Sequence, residues 1–129
     1  MAPTTTTLGS LLIGSADPDK LAAWYREAFA PGTAAGRVIN LAHGKLIFDG
    51  RDDLATVPAE PGRVLVNLHV EDFDAAEAHL RELCVTWIRT RAAIPAGTLA
   101  TLADPDGNYV QIVQVDDQVD DQVDPAHRT

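Results

Sequence analysis

The chain has 129 residues, 46% of them hydrophobic and 22% charged, and a formal net charge of −9. That length gives one domain with a sizeable core, and the acidity argues against nucleic acid and anionic membrane surfaces as partners. The lone Cys84 excludes an internal disulfide and a cysteine-rich metal site, and is expected as a small buried apolar residue.

No apolar run is long enough to span a membrane. Met1 to Thr7 has the pattern of neither a secretory leader nor an amphipathic transit helix, so a cytoplasmic location is expected, with residues 1–7 a flexible N-terminus. Leu8 to Ser15 reads as a strand. Asp17-Pro18 opens a helix: the carboxylate accepts from a free N–H of the first turn, and proline has no N–H to lose there. Leu21, Trp24, Tyr25 and Phe29 fall on one helical face, which makes Trp24 and Tyr25 core residues, and Pro31-Gly32 ends the helix. Arg37 to Ala42 and Lys45 to Asp49 read as strands joined through His43-Gly44, with His43 at the surface. Gly50 to Asp53 is a turn, Leu54 to Pro58 a candidate for one further strand, and Ala59 to Gly62 a linker.

Arg63 to Val70 is a strand in which Leu65, Asn67 and His69 share one face while Val66, Leu68 and Val70 back onto a helix. Asp72 caps that second helix, with Phe73, Ala76, Leu80 and Leu83 as its apolar stripe. Val85 to Thr90 and Thr98 to Ala103 read as strands about a turn at Pro95-Ala96-Gly97. Asp104-Pro105-Asp106-Gly107-Asn108 is a tight turn: proline presets φ, Asp and Asn bond their own backbone, and glycine takes the positive φ. In the strand that follows, Val110 and Ile112 share one face and Tyr109, Gln111 and Val113 the other, a pattern that suggests core on one side and a cavity on the other. The tail repeats Val-Asp-Asp-Gln. Residues 116–129 carry five Asp and are expected as a disordered acidic extension, which leaves −5 on the rest. His79 and His127 are expected to be exposed.

The order is β-α-β-β-β, linker, β-α-β-β-β, and the halves repeat at an offset of 55 residues. Asp17 falls on Asp72, Asp19 on Asp74, Arg26-Glu27 on Arg81-Glu82 and Asp49 on Asp104. Half of such a pair would expose the apolar face of its sheet, so pairing of the halves is the physical expectation.

Three stretches carry a resemblance: Asp-Pro-Asp-Lys-Leu-Ala-Ala-Trp-Tyr after the first strand, Glu-Asp-Phe-Asp-Ala-Ala after the strand Arg63 to Val70, and Asp-Pro-Asp-Gly-Asn-Tyr-Val-Gln-Ile. On these the chain resembles the vicinal oxygen chelate superfamily, which includes glyoxalase I, bleomycin-resistance proteins and extradiol dioxygenases, over about residues 8–115. The resemblance implies an α+β fold: two tandem βαβββ modules, about 8–58 and 63–115, forming a half-closed eight-stranded barrel around a cavity. It also implies a homodimer, with the halves paired within a chain or swapped between two chains.

In the superfamily's enzymes a divalent metal sits in that cavity, held by His, Glu or Gln of the first and last strands of each module. The matching positions here are Ser10, Thr56 (or Phe48 in a slipped register), Leu65 and Gln111. Divalent sites want several imidazole or carboxylate ligands, so the expectation is a member with no metal and no cofactor. The cavity would instead be lined by Ser10, Leu12, Asn67, His69, Trp87, Tyr109 and Gln111. Apolar walls with a few polar groups suit a small organic ligand, cationic or aromatic given the acidity.

The leading functional reading is a metal-free small-molecule-binding protein. The alternative is a metal-independent isomerase or lyase in which His69 is the catalytic base and Asn67 or Gln111 stabilises an oxyanion. A glyoxalase- or dioxygenase-like metalloenzyme with a shifted site ranks third.

Overall fold

The computed structural model describes residues 5–116, and the chain divides into two compact units between Thr56 and Val57. The predicted acidic extension therefore lies, apart from Asp116, outside the described residues. No helix among them is long and apolar enough to cross a membrane.

The first unit holds β1 (Ser10–Ser15), α1 (Pro18–Phe29), β2 (Val38–Leu41) and β3 (Gly44–Gly50). Asp17 caps α1 as expected, accepting from the Lys20 amide at 3.3 Å, and Ser15 Oγ accepts from the Asp17 amide at 3.0 Å. The sheet order is β1-β3-β2, with β1 parallel and β2 antiparallel to β3. Leu21, Ala22, Tyr25 and Ala28 of α1 are buried with Ile39, Leu46 and Phe48 of the sheet, and the Tyr25 and Phe48 rings lie 5.2 Å apart. Trp24 and Phe29 are half-buried beside Tyr25.

The second unit holds β4 (Val66–His69), α2 (Phe73–Glu82), β5 (Thr86–Ile94), β6 (Gly97–Ala103) and β7 (Tyr109–Val115), with sheet order β4-β7-β6-β5. Asp72 caps α2 by accepting from the Ala75 amide at 3.1 Å, and Gln114 Oε1 ties the helix start to β7 by accepting from the Phe73 amide. Asp104 Oδ1 accepts from the amides of Asp106 and Asn108, which closes the predicted turn, and Gly107 there has φ +94°. Phe73, Leu80, Ala100, Leu102, Val110 and Ile112 form the core.

The α+β class stands, but the described residues form seven strands in two sheets rather than eight. Leu54 to Pro58 makes no strand, and Leu54 and Val57 are exposed. The first unit closes its sheet earlier: β3 lies beside β1 as β7 lies beside β4, so Leu46 matches Val110 and Phe48 matches Ile112. The offset between halves is thus 55 residues through the helices and 64 at the last strand. The second unit uses the extra length for β5, which has no counterpart in the first. Three further expectations change. Cys84 is exposed, at φ +56° just past α2, because it occupies the left-handed position that ends a helix. His79 is half-buried. The strand expected from Arg63 starts at Val66, since Arg63 is drawn into a turn by its amide's bond to the Glu60 carbonyl and its ion pair with the Glu60 side chain.

Candidate functional site

Pleating gives each sheet one helix-covered face and one turned away from the helix. In the second unit, directly paired residues share a face. Val66, Val110 and Leu102 share the α2 side; Asn67, Gln111, Thr101 and Arg89 share the other, one from each strand. These four make a single row across β4, β7, β6 and β5. At a strand spacing of about 4.8 Å the row is roughly 14 Å long.

Gln111 Nε2 donates to Thr101 Oγ1 at 3.1 Å, so the amide carbonyl of Gln111 remains an acceptor and the Thr101 hydroxyl remains a donor. Thr101 is 5% exposed, while Asn67 and Arg89 at the ends of the row are exposed. The next row is His69, Val113, Leu99 and Ala92. On the other flank stands Tyr109, whose amide donates to the Pro61 carbonyl at 3.2 Å and whose ring packs on Gly62, where an added Cβ would lie 3.2 Å from it. The face thus combines amides, a hydroxyl and a guanidinium with an apolar row and an aromatic ring.

Of the expected site residues, Asn67, His69, Tyr109 and Gln111 lie together on this face. Ser10 and Leu12 belong to the first unit, on the face of its sheet turned away from α1, where Leu12 pairs with Ile47 as Asn67 pairs with Gln111. Trp87 is a correction. It pairs with Leu102 on the α2 side, and the Arg81 guanidinium stacks over its ring with Cζ 5.5 Å from the centroid. Arg89 is the residue that the alternation missed. A bulge between Trp87 and Arg89 inserts one residue, so two positions that simple pleating puts on one face point to opposite faces.

The register also settles which first-unit position matches Gln111. It is Ile47, neither Thr56, which lies outside the strands, nor Phe48, which is buried against α1. The positions that the resemblance marks for ligands hold Ser10 and Ile47 in the first unit and Leu65 and Gln111 in the second: one hydroxyl, one amide and two hydrocarbons. This does not fit a divalent cation, and no group of three His, Cys, Asp or Glu side chains among the described residues could hold one. His69 lies exposed at the end of β4, where its backbone stands opposite Val113.

A concavity of about 460 Å³ lies on the α2 side of the sheet, at the start of α2 between Asp72, Asp74, Arg91, Thr98 and Gln114. Its groups are committed to one another: Arg91 pairs with Asp74 and Glu77 and covers the Phe73 ring with Cζ 4.7 Å from its centroid. Arg91 is held above its ordinary pKa chiefly by its hydrogen bond to Asp74.

The family model described as a glyoxalase-like domain matches residues 10–113. No curated protein sequence gives a significant match. Among solved structures, the chain is similar to TnmS3, an antibiotic binding protein from Streptomyces sp. CB03234, with 24% identity and a TM-score of 0.66 over 89% of this chain and 100% of that one. It is similar to TioX from Micromonospora sp. ML1, with 15% identity and a TM-score of 0.65 over 85% of this chain and 99% of that one. A lactoylglutathione lyase from Agrobacterium tumefaciens aligns with 17% identity and a TM-score of 0.62, covering 87% of this chain and 96% of that one. At these identities the likeness speaks for the fold.

Proposed function

Since the chain belongs to the glyoxalase-like domain family, whose fold serves both enzymes and binders, we propose that it is a small-molecule-binding protein that works without a metal. The observation that carries this is the donor set: the positions where a cation would need carboxylates and imidazoles hold Ser10, Ile47, Leu65 and Gln111, and Gln111 is already bonded to Thr101. What remains on the face beyond α2 suits an organic molecule: Asn67, Gln111 and Thr101 to orient it, Val113, Leu99 and Tyr109 to cover its apolar part. The similarity to an antibiotic binding protein supports the same reading. A half-closed barrel and a homodimer belong to it too. In support of a second copy, Leu12 and Val38 of the first unit are 59% and 45% exposed on either side of Ile47, an apolar row that water disfavours.

Elemental analysis of the purified protein, with and without added zinc, nickel, iron and manganese, tests the metal-free part. Substoichiometric metal and an unchanged Tm are expected; about one ion per chain would overturn it. Ligand-observed NMR with a set of aromatic small molecules tests the binding part, and sedimentation tests the dimer. His69→Ala separates binder from enzyme: in a binder it changes affinity at most, with no turnover to lose.

A further inference from the structure

The chain is acidic, yet the face described above is not. Its paired positions are Asn67 and His69 on β4, Tyr109, Gln111 and Val113 on β7, Leu99, Thr101 and Ala103 on β6, and Thr86, Arg89 and Ala92 on β5. None is an aspartate or glutamate, and the one permanent charge is the Arg89 guanidinium. The carboxylates of this unit that meet arginines do so elsewhere: Asp74 and Glu77 with Arg91, Glu77 with Arg81, and Glu60 with Arg63. Arg37 and Arg51 of the first unit also pair with carboxylates, Asp19 and Asp53. The Arg89 guanidinium makes no hydrogen bond or ion pair with the described residues. The bulge that turns it away from α2 also removes it from Asp74 and Glu77, the carboxylates that hold Arg91.

We propose that Arg89 is the anion-recognising residue of this face, and that the ligand is an aromatic molecule bearing a carboxylate or comparably acidic oxygen, laid along the row from Arg89 past Thr101 and Gln111 toward Asn67. The proposal rests on the small-molecule-binding reading and sharpens it. Arginine offers a planar fork of donors matched to a carboxylate. Next to it the Thr101 hydroxyl supplies a neutral donor, its oxygen already accepting from Gln111. Farther along, the amides of Gln111 and Asn67 meet neutral polar substituents, and Leu99 and Val113 flank the row on one side for the ring system. The whole-chain charge of −9 favours cations at long range, but salt screens that term within about 8–10 Å. Contact with an unpaired guanidinium therefore decides the preference.

Three matched probes test it on the full chain: naphthoate, naphthamide and naphthylmethylammonium, titrated by protein-observed NMR. Naphthoate is expected to bind about tenfold or more tightly than naphthamide, as a charge-assisted hydrogen bond implies, with shifts concentrated at residues 67, 89, 101 and 111. Arg89→Gln should bring naphthoate to the affinity of naphthamide and leave naphthamide unchanged, while Arg63→Gln, an exposed arginine paired elsewhere, should change neither. Equal binding of acid and amide, tighter binding of the ammonium probe, or a preference that survives Arg89→Gln would overturn the anion assignment while leaving a binding face. Failure of all three probes to perturb the face at millimolar concentration would overturn the binding reading with it.

Discussion

In the three-stranded sheet the helix side is lined by Ile39, Leu46 and Phe48; in the four-stranded sheet the matching positions hold Leu102, Val110 and Ile112, and all six are buried. Across the other faces the same register reads Leu12, Ile47 and Val38 in the first unit, and Asn67, Gln111 and Thr101 in the second. One side of each sheet has kept its chemistry and the other has not. Packing explains the retained side, because a buried position tolerates little change in volume. The opposite side answers to whatever it meets. In one unit that is hydrocarbon, in the other a set of donors and acceptors. The helix aspartates that correspond, Asp19 on α1 and Asp74 on α2, each meet an arginine, Arg37 and Arg91, though β5, which carries Arg91, has no counterpart in the first unit.

The largest effect expected from breaking this comparison is in the cores. Phe48→Ala should cost about 3–5 kcal/mol and its counterpart Ile112→Ala about 2–5 kcal/mol, measured by urea unfolding. A cost for Phe48→Ala below about 1 kcal/mol would mean that β3 is not the counterpart of β7.

A smaller effect separates the helix ends. After α1 the left-handed position is Gly32 at φ +86°; after α2 it is Cys84 at φ +56°. Cys84→Gly should raise stability by about 0.5–1 kcal/mol by relieving the clash of Cβ with the backbone. A loss of stability would show that the thiol makes a contact worth more than that strain.

The smallest concerns Asp19, whose carboxyl is held below its ordinary value chiefly by the hydrogen bond from Arg37 and then by that residue's charge. A depressed pKa in the folded state means that the pair stabilises the fold above the ordinary carboxylate range, with the contribution lost as pH falls through the folded value. Asp19 is fully exposed, so the effect is small. Carboxyl NMR should find Asp19 titrating below the ordinary aspartate range, and Arg37→Gln should return it to that range.

The helices, their aspartate caps and the Asp104–Asn108 turn were legible in the sequence because each is decided within a few residues. So was the division of β4 and β7 into two faces, which needs only period-two alternation. What failed depended on distant partners. Leu54 to Pro58 has a strand's length and some apolar residues, but the place beside β1 that β7 takes beside β4 is held here by β3. The ligand-position argument inherited that error at Thr56. At the site, Asn67, His69, Tyr109 and Gln111 could be placed from alternation alone. Arg89 could not, because a bulge is set by the pairing of β5 with β6 and leaves no mark in the spacing of Trp87, Ile88 and Arg89.

That bulge also decides what the protein's own chromophores can report. The chain has two tryptophans. Trp24 stands on α1 with its ring 4.9 Å from that of Tyr25, and Trp87 lies under Arg81 on the α2 side of its sheet. Neither indole belongs to the row from Asn67 to Arg89. A molecule settling there would lie across the sheet from the Trp87 indole, so a silent Trp87 emission would describe the side on which that ring stands rather than the occupancy of the site.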